Sequence, residues 1–301
     1  LQAGDGADSP AAEPTPAAAP RRATGAAQVA LWVFALSGVA ALALEVLWTR
    51  SLAYFVSVDT WAFSSLLAAV LLGIGLGSFA MAPLVPRLRR PLATLGLLQS
   101  LIGLSAAASV PLFRLLNELW LSARAATEVS SVYGHMFQKL ACSTAIMLVP
   151  TLLMGASFPV VSRIYVGARG AVGQGLGTLY ALNTVGAILG SLLAGFVLIP
   201  LLGIQRGILA ASSLYLVGGA VLFASDGART VGRVVLPACA LAAVALVNWL
   251  VPTRSIIEQS HHFLSDHGAE QRRLLWVDEG VGASIAIFDE GDGTPRHLTI
   301  N

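Results

Sequence analysis

Few residues of this sequence combine an ionisable side chain with a sequence environment that would give that side chain a function. Glu45 is the clearest of them. It is the only carboxylate well inside an apolar stretch, in the run from Leu44 to Arg50. An ionised carboxylate in hydrocarbon is costly, so we expect Glu45 to face protein and to be paired or protonated. Arg50, Arg206 and the Asn183 amide are candidate partners. The pattern fits a proton or cation site, and it also fits a structural clamp near the outer interface.

Two further polar side chains, Tyr180 and Asn183, lie one helical turn apart inside another apolar run. Side chains of this kind hydrogen-bond between membrane helices, or they line a cavity. With Glu45 and Arg50 they make up the intramembrane polar candidates of this chain.

The glycine-rich run from Gly73 to Ser78 looks like a dinucleotide-binding fingerprint, but no strand precedes it and its last glycine is misplaced. Gly73 and Gly77, four positions apart on a helix, instead permit the close approach of a second helix. Gly186 and Gly190 have the same spacing. We predict helix packing at all four glycines.

No other cluster supports catalysis. His261, His262 and His267, with Asp266 between them, match no zinc-ligand spacing and are interpreted as a solvated connector. We therefore predict no catalytic, cofactor-binding or metal-binding residue in this chain. The formal net charge of +2 gives no indication of a nucleic-acid partner.

The elements that would position these residues are membrane helices. The chain is 56% hydrophobic and only 11% charged, against about 25% charged residues in soluble proteins. A helix needs about 20 apolar residues to cross the hydrocarbon core. The predicted fold class is an all-α polytopic membrane bundle of about seven spans, followed by a partial antiparallel β-domain. The predicted spans are 28–49, 60–83, 92–112, 140–162, 174–200, 205–224 and 232–250.

The segments between and around the spans differ in character. Residues 1–27 have the Ala- and Pro-rich composition of a disordered tail. Residues 113–139 place apolar and charged positions on opposite faces, which predicts an amphipathic interfacial helix. Residues 251–273 form a polar connector. In 274–301, short alternating runs separated by turn residues predict the start of a truncated β-domain.

The basic residues orient the bundle. With the N-terminus in the cytoplasm, nine Lys and Arg residues lie inside and five outside, in agreement with the positive-inside rule. Seven spans would then leave the C-terminal tail outside. We expect a bacterial-type inner membrane protein whose partners are the lipid bilayer and other membrane subunits or copies of itself.

An internal repeat is also indicated. The step in residue number from Arg50 to the Gly77-Ser78 pair equals the step from Arg163 to the Gly190-Ser191 pair. Tandem three-helix units have opposite orientations in the membrane, the inverted repeat found in many transporters. Coincidence in a Gly-, Ala- and Leu-rich chain is the alternative.

Three stretches together resemble the membrane-anchored spermidine synthase-like proteins, which carry a polyamine aminopropyltransferase-type domain. They are Glu45–Arg50, Pro150–Pro159 and the run from Gly177 to Ala187 that continues to Gly203. The segment from Asp278 to Asn301 is similar to the N-terminal β-domain of aminopropyltransferases. The resemblance covers roughly residues 28–301.

The resemblance implies a soluble domain that transfers an aminopropyl group from decarboxylated S-adenosylmethionine to a diamine. The glycine-rich and acidic motifs for that reaction would lie beyond Asn301, so we expect no transferase activity from this chain alone. The implied role is the anchoring or assembly of that domain. Two alternatives stay open, a transporter of polyamines or other small molecules and a structural subunit of a larger membrane complex.

Overall fold

In the ranges that the structure describes, six α-helices form a bundle and three short strands follow them. The computed structural model describes residues 25–53, 60–126, 132–169, 172–226, 273–280, 284–289 and 295–300, and the isolated positions 238, 242 and 245. The helices are α1 Gly25–Ala53, α2 Thr60–Met81, α3 Pro91–Ala126, α4 Val132–Arg169, α5 Val172–Leu193 and α6 Ile199–Ser225. A 3₁₀ turn, Val85–Arg87, lies between α2 and α3, and a π-helical turn, Ala194–Leu198, joins α5 to α6.

The protein is a membrane protein by the length and apolarity of its helices. Among the described residues, four helical runs are long and apolar enough to cross a bilayer, namely Gly25–Leu52, Pro91–Phe113, Thr144–Ala168 and Val172–Ser225. A helix satisfies its backbone hydrogen bonds internally, which is why such runs can enter hydrocarbon.

The predicted count of seven spans is wrong for the described part of the chain. The apolar part of α2, Leu66–Met81, is shorter than a span, and the fifth and sixth predicted spans form one apolar run of 54 residues. The seventh predicted span, 232–250, lies outside the described residues apart from the isolated positions 238, 242 and 245. The tail up to residue 24 and most of the 251–273 connector also lie outside them.

The predicted separate interfacial helix, 113–139, is also absent as a separate element. Helix α3 continues without a break from Pro91 to Ala126, and α4 begins at Val132. After residue 112 the sequence changes from apolar on all sides to polar on one face of the helix. This change does not interrupt backbone hydrogen bonding, because the periodicity stays helical.

Two clusters of buried side chains lie at opposite ends of the bundle. The Trp48 cluster contains the second halves of α1 and α3, together with Leu66, Met147, Ala194 and Ile199. The Tyr165 cluster contains the first halves of α1 and α3, together with Val160, Leu179 and Leu222. The odd-numbered helices therefore run from the Tyr165 cluster to the Trp48 cluster, and the even-numbered helices run back.

The 54-residue run folds back on itself at Gly203. Along α5, Gly186 packs on Ala35 and Gly190 on Val39, so α5 and α1 advance in the same direction. Along α6 the order is reversed, because Gly207 meets Leu47 and Gly218 meets Val33. Gly203 has φ 77°, a left-handed conformation that glycine adopts without steric cost.

The six helices pack as two related halves. Helices α2, α4, α1 and α5 form one layer in that order, and α3 and α6 form a second layer behind α4 and α1. In this arrangement α1 is equivalent to α4, α2 to α5 and α3 to α6. The α1–α5 interface then corresponds to the α2–α4 interface, and the α1–α6 interface corresponds to the α3–α4 interface. Because α1 and α4 run in opposite directions, the halves α1–α3 and α4–α6 are inverted repeats.

A constant offset in residue number relates individual contacts in the two halves. A Cβ atom on Gly77 would overlap the carbonyl oxygen of Leu152, and a Cβ atom on Gly190 would overlap the carbonyl oxygen of Val39. The step from Gly77 to Gly190 equals the step from Val39 to Leu152, and we call this step the repeat offset. The same backbone contact therefore occurs twice, once in each half.

The pattern of burial along α2 and α5 follows the repeat offset. Gly73 and Gly186, which pack on Thr151 and Ala35, are both buried. Leu71 and Thr184, which are separated by the same offset, are both exposed. Each of these two outer helices thus turns the equivalent face toward the bundle.

Three strands, β1 Arg273–Glu279, β2 Ser284–Asp289 and β3 Pro295–Ile300, pair antiparallel in chain order. They do not amount to the predicted partial β-domain, and that part of the fold prediction is wrong. Both core clusters of the described residues are formed by the helices. Three short strands need an apolar face packed on another layer before they form a stable unit, and the described residues show no β-domain beyond these strands.

The close backbone contact at Gly77 can be tested by substitution. Gly77→Leu should lower the free energy of unfolding by about 1–3 kcal/mol, because the side chain has no room beside Leu152. Gly75→Leu is the matched control on the same helix, since a Cβ there meets nothing within 4 Å. Thermal unfolding in mild detergent measures both variants. An equal loss of stability in the two would contradict the close contact.

Candidate functional site

The polar candidates meet where α1, α4 and α5 come together, a region that we call the central seam. Three aromatic rings join these helices at the Tyr165-cluster end. The ring centroids of Phe34 and Phe158 are 6.0 Å apart, and those of Phe158 and Tyr180 are 4.7 Å apart. Tyr180 is 56% exposed, so one side of this aromatic group is open.

Asn183 lies next to this aromatic group and points its side chain toward α1. A Cβ atom on Gly38 would be 2.7 Å from Asn183 Oδ1, so the amide occupies the space that a larger residue at position 38 would fill. The Asn183 side chain is half-buried. It has no hydrogen-bond partner among the described residues. The helix-contact and cavity-lining interpretations are thus both compatible with its position.

Glu45 lies farther along the same face of α1. Phe34, Gly38 and Glu45 fall on one helical stripe because they are separated by four and seven positions. The stripe is about 16 Å long at 1.5 Å per residue. Glu45 is half-buried, and its carboxylate has no ion-pair or hydrogen-bond partner within the described ranges. The Asn183 amide, two turns away, is too distant to be that partner.

The inverted repeat relates the two ends of the seam. Glu45 and Phe158 are separated by the repeat offset, so the carboxylate of one half and the aromatic ring of the other occupy equivalent positions. Because the halves are inverted, these positions lie toward opposite ends of the bundle. The seam therefore has an aromatic end and an acidic end.

The two arginines that follow these positions are also equivalent, and both are engaged. Arg163 donates a hydrogen bond from its guanidinium to the carbonyl oxygen of Val85, which attaches α4 to the turn between α2 and α3. Arg50 is half-buried and has an interaction of its own, so it is not a free cation. The structure thus places Arg50 near one end of the seam as part of the packing.

Buried hydrogen bonds hold α1 against the second layer. Trp48 Nε1 donates to Ser109 Oγ of α3 at 3.0 Å, and Tyr215 of α6 donates its hydroxyl to the carbonyl oxygen of Ser37 at 3.1 Å. The Ser109 hydroxyl in turn donates to the carbonyl of Ala106 at 2.6 Å. These contacts flank Glu45 on either side along the helix and therefore fix the direction in which its face points.

Sequence reasoning did not select Phe34, Phe158 or Gln99. The two phenylalanines carried no signal, because apolar residues are expected everywhere in such helices. Gln99 was visible as a lone amide inside the third predicted span. It is 1% exposed, and neither atom of its amide has a hydrogen-bond partner within the described residues. A buried amide left in this condition costs free energy.

The predicted absence of a metal site was not tested at its main candidate. His261, His262, Asp266 and His267 lie outside the described residues. Within the part of the chain that was searched, no group of three or more His, Cys, Asp or Glu side chains is placed to hold a metal ion.

The seam combines chemistry that suits a positively charged organic molecule. An aromatic face attracts a cation, an amide offers a hydrogen-bond acceptor, and a carboxylate supplies negative charge. No group among the described residues of the seam is arranged as a nucleophile with a neighbouring base. The arrangement can bind a cation and can exchange a proton at Glu45.

Comparison with known proteins gives no further identification. No protein-family model, no curated protein and no solved structure matches this chain.

The hydrogen bond between Trp48 and Ser109 can be tested with a double-variant cycle. Trp48→Phe and Ser109→Ala should each lower stability, the second by about 1 kcal/mol because the buried indole N–H loses its acceptor. The double variant should lose less than the sum of the two. Trp32→Phe is the control, since Trp32 is 58% exposed. Strictly additive losses in thermal unfolding would contradict the bond.

Proposed function

We propose that this chain is a transport-type membrane module that moves a small organic cation through the central seam. The observation that carries the proposal is the inverted repeat, with Gly77 on Leu152 in one interface and Gly190 on Val39 in the other. Many secondary transporters are built from inverted repeats and bind substrate where the repeats meet. Here the meeting place is the contact between α1 and α4, the two helices that carry Glu45 and Phe158.

We further propose that the 54-residue run crosses the bilayer twice and that the Tyr165-cluster end of the bundle lies in the cytoplasm. The reversal at Gly203 supports two passes for the 54-residue run, since a straight helix of that length would measure about 80 Å against a core of about 30 Å. Arg87, Arg89, Arg90 and Arg163 all lie at the Tyr165-cluster end, where the positive-inside rule places such residues. Helix α6 would then return the chain to the cytoplasmic side at Asp226.

The substrate class follows from the length and polarity of the seam. An extended amine can place a cationic nitrogen at the Glu45 carboxylate and another part of the molecule against Phe158 and Tyr180. Polyamines meet this description, and so do other elongated organic cations. The unpaired Glu45 carboxylate would receive the charge, or it would carry a proton in the opposite direction.

The Glu45 role can be tested in proteoliposomes loaded with purified protein. Glu45→Gln keeps the size of the side chain and removes the charge, so we expect uptake of radiolabelled spermidine to fall by at least about tenfold. Glu45→Asp, which keeps the charge, should retain part of the activity. Thermal unfolding of all three proteins controls for folding. Uptake that is absent from the unchanged protein, or equal in Glu45→Gln, would contradict the proposal.

A second candidate is the anchoring of an aminopropyltransferase-type domain, as the resemblance to spermidine synthase-like proteins implies. One observation favours it. The first two stretches that carry the resemblance lie in α1 and α4, and the third begins in α5 and continues to Gly203 in α6. Helices α1, α4 and α5 form the central seam. A resemblance concentrated in one structural unit is more informative than matches scattered over lipid-facing surface. Aminopropyl transfer to a diamine by membranes from cells that express the gene, and not by membranes from cells that lack it, would support this candidate; equal activity in the two would remove it.

A further inference from the structure

The turn between α2 and α3 carries a dense group of positive charge. Arg87, Arg89 and Arg90 lie close together in sequence and are all exposed. None of the three guanidinium groups has an ion-pair or hydrogen-bond partner within the described ranges. Asp226 is at the same end of the bundle, but its Oδ2 is buried without a hydrogen-bond partner and does not neutralise them. This group is named the arginine turn.

The arginine turn is held in place by the packing beneath it. The guanidinium of Arg163 binds the carbonyl oxygen of Val85, and Leu88 packs against the Tyr165 cluster. Pro91 begins α3 directly after Arg90, so the positive end of that helix dipole adds to the charge of the arginines. The three cationic groups therefore project from a fixed backbone.

Exposed apolar side chains lie next to the arginine turn. Phe79, near the end of α2, is 81% exposed, and Leu84 is 48% exposed. Basic residues beside apolar ones at the end of a membrane helix match the two parts of a phospholipid, its phosphate and its acyl chain.

The equivalent turn in the second half carries no such charges. By the repeat offset, Arg87, Arg89 and Arg90 correspond to Pro200, Leu202 and Gly203. That turn joins α5 to α6 as the arginine turn joins α2 to α3, and the segment from Ala194 to Gly203 contains no charged residue. The arginines are thus an addition to one end of an otherwise similar structure.

We propose that Arg87, Arg89 and Arg90 form a binding site for the phosphate headgroup of an anionic phospholipid, with Phe79 and Leu84 against its acyl chain. Arginine donates paired hydrogen bonds to phosphate oxygens, which distinguishes this site from a diffuse attraction to the membrane surface. The site is independent of the transport proposal, since it lies outside the central seam.

The test uses the full chain purified in mild detergent, with phosphatidylglycerol added and thermal unfolding followed. We expect phosphatidylglycerol to raise the unfolding temperature, whereas phosphatidylcholine has no such effect. In the variant R87Q/R89Q/R90Q, the half-saturating phosphatidylglycerol concentration should rise by at least about tenfold, because each arginine contributes separately to anionic-lipid binding. Arg206→Gln is the control, an exposed arginine in the other half, and it should respond as the unchanged protein does.

Three results would overturn the proposal. They are an equal response to phosphatidylglycerol in the triple variant, an equal response to phosphatidylcholine, and full stabilisation by inorganic phosphate alone. The last would identify a site for free phosphate. If the triple variant does not fold, R87Q, R89Q and R90Q are measured singly by counting bound lipids in native mass spectra. Loss of bound phosphatidylglycerol in these variants supports the site, and unchanged occupancy overturns it.

Discussion

The fold depends on glycines at which helix backbones touch without intervening side chains, and the closest of these contacts lie in the α2–α4 and α1–α5 interfaces. In a bilayer the hydrophobic effect does not drive helices together, because lipid tails are as apolar as leucine. Association then relies on van der Waals packing, which is strongest where small residues let backbones approach. Gly77 on Leu152 and Gly190 on Val39 supply such contacts. They hold α2 against α4 and α5 against α1.

The repetition of that contact has a consequence for the central seam. Since α1 and α4 are each clamped on their outer side, they are left adjacent to one another at the centre, with α3 and α6 behind them. A residue on the inner faces of α1 and α4 is therefore shielded from lipid on several sides. Glu45 lies on such a face, half-buried, where a carboxylate costs less than it would against hydrocarbon. The glycine contacts thus place α1 and α4 side by side, and this placement provides the protein surroundings in which the Glu45 carboxylate lies.

The two halves are alike in backbone and unlike in chemistry. Glu45 is equivalent to Phe158, and the arginine turn is equivalent to an uncharged segment. Backbone packing constrains only the small residues at the interfaces, so the remaining positions are free to differ. As a result, the seam has an acidic end at Glu45 and an aromatic end at Phe158, and one end of the bundle has a basic surface at the arginine turn.

Much of this arrangement was accessible from the sequence. The predicted spans 28–49 and 92–112 lie inside α1 and α3, because apolar runs of that length have one structural solution in a membrane. The equal spacing of Arg50 to Gly77 and Arg163 to Gly190 indicated the repeat. Hydropathy did not predict that the apolar run continues through Gly203 or that α3 is unbroken. It reports the polarity of a segment and not the direction of its backbone. The position of Asn183 against Gly38 likewise depends on how helices cross.

The inverted relation between the halves is the central claim, and thiol labelling tests it most directly. Leu84 and Val197 are related by the repeat offset and are both exposed. Each is replaced by cysteine in a background without Cys142 and Cys239, and intact cells are treated with a membrane-impermeant maleimide. We predict that position 197 reacts in intact cells and that position 84 reacts only after permeabilisation. Reaction of both positions from the same side of the membrane would contradict the inverted repeat.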